Sequence, residues 1–188
     1  MKKIIIISLA IISIIITIAL FYKFISKNDN AEIVCNMVEH PAYIYTDSMI
    51  RYSKTTNKNN AYSKLSYNYV FYFDSTDCSQ CMMNQLFYID SINKKIGKNF
   101  DFTLIFDVNP EDTAFFRQNF LLSSLNHDIY ADTSHTFRKN NSFVTANHLT
   151  HYFLVDSNNI ILLVGDPIHN SNIEKMLYKI VNSNYHNH

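Results

Sequence analysis

Tyr69-Val70-Phe71-Tyr72-Phe73-Asp74-Ser75-Thr76-Asp77-Cys78-Ser79-Gln80-Cys81 joins a short aromatic-rich apolar run to two cysteines three positions apart. Five consecutive apolar residues suit a strand buried on both faces, as in a parallel sheet. Asp74 to Asp77 reads as a turn into a helix start. Beyond it, Met82, Leu86, Ile89, Ile92 and Ile96 fall on one helical face. Residues i and i+3 share a helical face, within the roughly 4.4–6.8 Å between α-carbons that a disulfide needs. In the first turn, Cys78 meets unpaired N–H groups that favour a thiolate. Cys81, one turn deeper, is expected to be shielded and to act as the resolving thiol. Two other uses of such a pair are a static disulfide and half of a zinc site, and the zinc site needs a second ligand pair that the chain lacks at cysteine spacing.

Outward from this stretch the pattern repeats. Phe102–Val108 reads as a second strand, followed by a helix from Asn109-Pro110-Glu111-Asp112 to about Leu122. Ile129–Ala131 reads as a short strand, and Ser134–Lys139 as a short helix. Tyr152–Val155 and Ile160–Val164 form a hairpin around Asp156-Ser157-Asn158-Asn159. Ser171-x-x-Glu174 reads as a capping box for a last helix with Ile173, Leu177, Ile180 and Val181 inward. The order β-α-β-α-β-α-β-β-α predicts an α/β fold, a mixed central sheet with flanking helices.

Ile4–Phe21 (IIIISLAIISIIITIALF) is an uncharged run of about 18 residues, roughly 27 Å as helix, close to the ~30 Å bilayer core. Ala19-Leu20-Phe21-Tyr22-Lys23 makes a poor cleavage site, so the run reads as an uncleaved transmembrane anchor. Lys2 and Lys3 before it and Lys23 and Lys27 after it nearly balance. The short N-terminal flank and the cysteine pair favour an inner or cytoplasmic membrane protein, single-pass, with its C-terminal domain extracytoplasmic (periplasmic). The expected organisation is an anchor over 1–27, a linker and accessory segment over 28–62, and the α/β domain over 63–188. Ala42–Tyr52 reads as an accessory hairpin, and Ser53–Ser63 as a polar surface loop.

The 188 residues carry 16 Lys+Arg against 16 Asp+Glu, which gives no electrostatic case for nucleic acid. Hydrophobic residues make up 47%, enough for a packed core, and 3 Cys exclude a disulfide-stapled mini-scaffold.

The stretch Tyr69–Cys81, together with Phe153–Asn170 (FLVDSNNIILLVGDPIHN), resembles the membrane-anchored thioredoxin-like proteins of the TlpA/ResA type. It is similar in particular to uncharacterised members of that group from gut bacteria, over roughly Ser63 to Asn182. The resemblance implies a thioredoxin-like fold and extracytoplasmic thiol–disulfide exchange with protein substrates. It further implies Cys78 as the attacking and Cys81 as the resolving cysteine, and Gly165 as a glycine beside the redox centre. No bound cofactor is implied beyond the redox-active disulfide Cys78–Cys81, and a redox partner must restore the dithiol.

The chain departs from the family at three places. Asp77 stands where an aromatic usually precedes the first cysteine, Thr150 at the position of the cis-proline that faces the disulfide, and Tyr72 at that of a buried acid. Asp77 opposes a thiolate by like charge, so the couple is expected to be reducing rather than strongly oxidising. Asp77, Thr150, Gly165 and His169 are the candidate groove or tuning residues.

Other readings weigh other residues. Cys78, Cys81 and His169 could form a copper-binding chaperone site, and the domain could be a non-catalytic scaffold with a structural disulfide. A peroxidase would need a Thr/Pro and Arg set, and although Thr76 is present, Arg117 and Arg138 fall on predicted helices and Arg51 in the accessory segment. Cys35 reads as a packed thiol, His151 as structural, and Asp107 and Asp132 as caps of strand-end turns.

Overall fold

The computed structural model describes residues 11–18, 31–54, 66–96, 100–145 and 147–183. The chain divides into two units, Met1–Asn36 and Met37–His188. In the first unit, residues 11–18 and 31–36 are helical. Among the described residues no helix is long and apolar enough to cross a membrane. Most of the expected anchor, 4–21, lies outside the described residues, as does most of the expected loop 53–63. Cys35 is a free, exposed thiol rather than the packed one expected.

The second unit is built on one six-stranded sheet. Its strands are β1 (Ile50–Tyr52), β2 (Tyr67–Phe73), β3 (Phe100–Asp107), β4 (Ile129–Asp132), β5 (Tyr152–Asp156) and β6 (Ile161–Val164). The helices are α1 (Ser79–Gln85), α2 (Ile89–Ile96), α3 (Thr113–Leu122), α4 (Thr136–Asn140) and α5 (Ser171–Ser183). The strand order is β1-β4-β3-β2-β5-β6. β2, β3 and β4 run parallel, while β5 is antiparallel to β2, and β6 to β5. A βαβ half and a ββα half meeting at a central β2 make the thioredoxin-like arrangement, with helices on both faces of a mixed sheet.

Aromatic side chains fill this core because the chain has 14 Phe and 13 Tyr and no Trp. Side chains alternate across the sheet. Tyr69, Phe71 and Phe73 point into the layer that also holds Met83, Leu86, Ile89, Phe116, Phe120 and Leu177. Phe73 and Phe106 stack with centroids 4.4 Å apart at the C-terminal end of the strands. On the opposite face Tyr72 stacks on Phe137, centroids 5.2 Å apart.

Three local readings change. No accessory hairpin forms over Ala42–Tyr52. Pro41 bridges to Ile160 beside β6, while β1 pairs with β4 at the far edge. No tight-turn dipeptide lies between the two pieces, so each covers a different sheet edge. Buried Asn141 holds the crossing, accepting from the Tyr43 N–H and donating to its carbonyl. The last helix is capped by Asn170, whose Oδ1 accepts from the N–H groups of Asn172 and Ile173, one residue ahead of the expected Ser171. Glu174 instead accepts from Tyr178 Oη and pairs with Lys95. The expected helix from Asn109 begins as a 3-10 turn, Pro110–Asp112, with α3 proper following at Thr113.

Burial raises the Tyr69 pKa well above its ordinary value, and the charge of Asp166 adds to this. Burial, and then the bond to Glu174, push Tyr178 up to about 12. A tyrosine with a raised folded pKa contributes stability that is present below its unfolded pKa of about 10 and lost as pH rises through the folded value. Thermal stability is therefore expected to fall above about pH 10. Melting curves from pH 8 to 12, with tyrosinate absorbance followed in parallel, check this. A melting temperature that stays constant from pH 10 to 12 would contradict it.

Candidate redox site

β2 delivers the chain to a turn tied by its own side chains. The Asp77 N–H donates to the Asp74 carbonyl (2.9 Å), and the Asp74 N–H donates to Asp77 Oδ2 (3.0 Å). Asp74 Oδ1 accepts from the Thr76 N–H, and Oδ2 pairs with Arg138 at 2.9 Å. Burial alone would raise the Asp74 pKa, but the Thr76 bonds and the Arg138 charge outweigh it and hold the carboxyl below its ordinary value.

This turn sets Cys78 as the N-cap of α1, its Sγ accepting from the Cys81 N–H at 3.3 Å. Cys78 and Cys81 form a disulfide, with α-carbons 5.2 Å apart. Both cysteines are exposed, so Cys81 is not shielded as expected. The core-facing side of α1 is taken by Met83, and Leu86 continues it at the start of the following 3-10 turn. Cys81, two residues before Met83, lies about 200° around the helix from it and faces out.

Two clefts flank this turn and the disulfide loop. One of about 210 Å³ is lined by Phe73, Asp74, Asp77, Ser79, Asp107 and Phe116, among others. The other, more open, of about 310 Å³, is lined by Asn147, His148, Leu149, Tyr152 and Asp166. Burial, then the charges of Asp166 and Asp77, push Tyr152 up to about 12, so its hydroxyl stays protonated in this cleft near neutral pH.

Thr150 does not line the open cleft. It is fully buried in a 3-10 turn, His148–His151, and no peptide among the described residues is cis. Unlike proline, threonine has an N–H and a hydroxyl. Both donate to the Asn147 carbonyl, and Oγ1 accepts from the Thr145 N–H. These bonds curl the segment inward.

Gly165 ends β6 with φ +129, its carbonyl accepting from Tyr69 Oη at 2.5 Å. A Cβ there would lie 3.0 Å from Ile173 Cδ1. Gly165→Ala is expected to cost about 2 kcal/mol from backbone strain and this close approach. A urea titration reads the shift in midpoint, and an unchanged midpoint would contradict the strain argument.

His169 is exposed and does not converge with Cys78 and Cys81 as the copper reading needs. Its Nδ1 lies 2.6 Å from Asp166 Oδ2, while Asp166 Oδ1 caps the Ile168 and His169 N–H groups. Among the described residues, the side chains that converge are instead Asp77, His148 and His151.

Asp107 was expected to cap a turn. It is buried, and accepts from Tyr72 Oη (2.8 Å) and faces His135 Nδ1 (2.5 Å). Burial, then this bond to Asp107, raise the Tyr72 pKa above its ordinary range. Asp132, its β4 neighbour in register, does cap α4. The available signal was two acids ending adjacent parallel strands, which leaves room for only one to serve α4. His148 carried no sequence signal of its own.

No family model matches the sequence, and no curated protein matches it. Solved structures do resemble it. A domain of a "possible thiol-disulfide isomerase" from Cytophaga hutchinsonii is 18% identical, covering 78% of this chain and 94% of its own, with TM-score 0.49. The exposed lipoprotein thioredoxin of Streptococcus pneumoniae is 16% identical, covering 62% and 85%, TM-score 0.46. The mitochondrial 2-cys peroxiredoxin of Plasmodium falciparum is 15% identical, covering 79% and 94%, TM-score 0.47.

Proposed function

We propose that this chain is a membrane-anchored thiol–disulfide oxidoreductase whose catalytic domain faces the extracytoplasmic side. The observation that carries the reading is the exposed Cys78–Cys81 disulfide at the strand-to-helix junction of a thioredoxin-like domain. The apolar run Ile4–Phe21 supports the anchor.

In the reduced enzyme, the Cys78 thiolate attacks one sulfur of a substrate disulfide. The substrate S–S bond breaks, its first thiolate leaves, and a mixed disulfide forms. The Cys81 thiolate then attacks Cys78 Sγ, closing the Cys78–Cys81 bond and releasing the second substrate thiolate, which takes up a proton. Two electrons pass from enzyme to substrate, and the enzyme ends as the disulfide. The Cys81 N–H directed at Cys78 Sγ is the donor that favours the thiolate. The cleft beside His148, Leu149 and Tyr152 takes the substrate polypeptide. A membrane or soluble partner returns the disulfide to the dithiol.

Two acids set the direction. Asp77 adjoins Cys78, and Asp74 lies on the same turn, so the thiolate forms against negative charge. The Cys78 pKa is expected above about 5, unlike that of a strong oxidant of this fold. Ultraviolet thiolate absorbance of the reduced chain against pH measures it, and a value below 5 would contradict the role given to Asp77.

The deciding experiment is the reduction potential of the full chain in detergent, equilibrated against glutathione and dithiothreitol buffers. A reversible two-electron couple at or below roughly −200 mV supports a reductase. A pair that never cycles overturns the proposal in favour of a scaffold with a structural disulfide.

A further inference from the structure

Asp77, His148 and His151 each offer one ligand atom, and the three atoms lie within 4.8 Å of one another. They come from two segments, the turn before Cys78 and the 3-10 turn before β5.

His151 is the informative member. The residue is 1% exposed, and Nε2 lies 2.8 Å from the Thr145 carbonyl. A carbonyl accepts only, so Nε2 carries the proton and Nδ1 is a bare lone pair. That Nδ1 is buried and has no hydrogen-bond partner. Buried acceptors are ordinarily paired. A ring whose far N–H is fixed on a backbone carbonyl while the other nitrogen stays open is the arrangement of a metal-ligating histidine.

The two other donors suit the same occupant. His148 is exposed, with its ring centroid 5.0 Å from that of His151. Asp77 is held by the Asp74 N–H on Oδ2 and supplies a negative charge. Two imidazoles and one carboxylate exclude calcium and magnesium, which take oxygen ligands, and match zinc with an open position for water. Tetrahedral zinc spaces its donors by about 3.4 Å, and the exposed His148 side chain can rotate to meet that spacing.

We propose that Asp77, His148 and His151 form a binding site for a divalent transition-metal ion of the zinc type beside the redox pair. A bound ion ties the turn that leads into Cys78 to the segment that leads into β5. This site differs from the Cys78, Cys81 and His169 set considered from sequence, and it is available while the cysteines are joined as a disulfide.

The test uses the full oxidised chain in detergent, purified without a histidine tag and titrated with Zn²⁺ against a chromophoric chelator. One equivalent is expected to bind with micromolar Kd and to raise Tm. His148→Gln and His151→Gln are each expected to weaken binding at least tenfold, while His169→Gln leaves it unchanged. Should His151→Gln fail to fold, the exposed His148→Gln decides alone. Co²⁺ in place of Zn²⁺ should give visible bands that His148→Gln removes. Three results would overturn the proposal. They are no binding to the oxidised chain, binding by His148→Gln and His151→Gln as tight as that of the unaltered chain, and binding lost only when the C-terminal histidines His186 and His188 are replaced.

Discussion

Cys78→Ser in the full chain is expected to lower disulfide exchange with a protein substrate to background, a loss of at least about 1,000-fold. Serine at pH 7 supplies almost no alkoxide, whereas a thiolate is both populated and nucleophilic. Cys81→Ser gives a different result. Attack by Cys78 still proceeds, but nothing closes the second step, so a mixed disulfide accumulates and can be isolated after acid quenching. The exposure of both cysteines makes the pair a two-sided test. If Cys78→Ser trapped the mixed disulfide instead, and Cys81→Ser did not react with substrate, the order of attack would be reversed. If both variants kept full function, the disulfide would be structural. Neither replacement opens a core cavity, because both cysteines are exposed and the buried side of α1 is carried by Met83. A change in rate therefore reports chemistry rather than folding, and a thermal melt of each variant confirms that.

The order of elements could be read from the chain because burial leaves a periodic trace. The run Tyr69–Phe73 has no charged residue, and β2 is buried nearly throughout, as a central strand covered on both faces must be. The single helical face from Met82 to Ile96 persisted even though the structure splits it into α1, a 3-10 turn and α2. Hydrophobic spacing specifies which side faces the core more tightly than it specifies unbroken hydrogen bonding.

The site was less legible. The two cysteines were found because i, i+3 spacing at a helix start is a local property. Thr150 was misplaced because its orientation depends on which carbonyl its N–H and hydroxyl reach, and that carbonyl belongs to Asn147 in the same turn. Cys81 was assigned to the wrong face because depth was inferred from helical position rather than from where Met83 sits. His148 and Asp77 are 71 residues apart in sequence and meet only through the pairing of β2 with β5. No window along the chain contains that contact.

Asp132→Ala is expected to destabilise the domain by about 3 kcal/mol, more than any exposed substitution near the disulfide. Asp132 is 1% exposed at the end of β4. Its Oδ1 accepts from the Ser134 and Thr136 N–H groups and from the Thr136 hydroxyl. Its Oδ2 accepts from the Phe137 N–H at 2.7 Å. Those donors are the first turn of α4, which no other side chain caps, since His135 makes no capping bond and sits at φ 55. Alanine leaves them unpaired, and bonds to a charged acceptor are the stronger kind. The loss spreads to the face of the sheet that α4 covers, because Phe137 stacks between Tyr72 and Phe153. Asp132→Asn separates the two contributions. Its amide oxygen can keep the Oδ1 bonds, while its NH₂ group faces the Phe137 N–H donor to donor. About half the loss is expected for Asn in urea titrations at pH 7. Equal losses for Ala and Asn would assign the whole effect to the single Phe137 bond, and no loss in either would remove Asp132 from the support of α4.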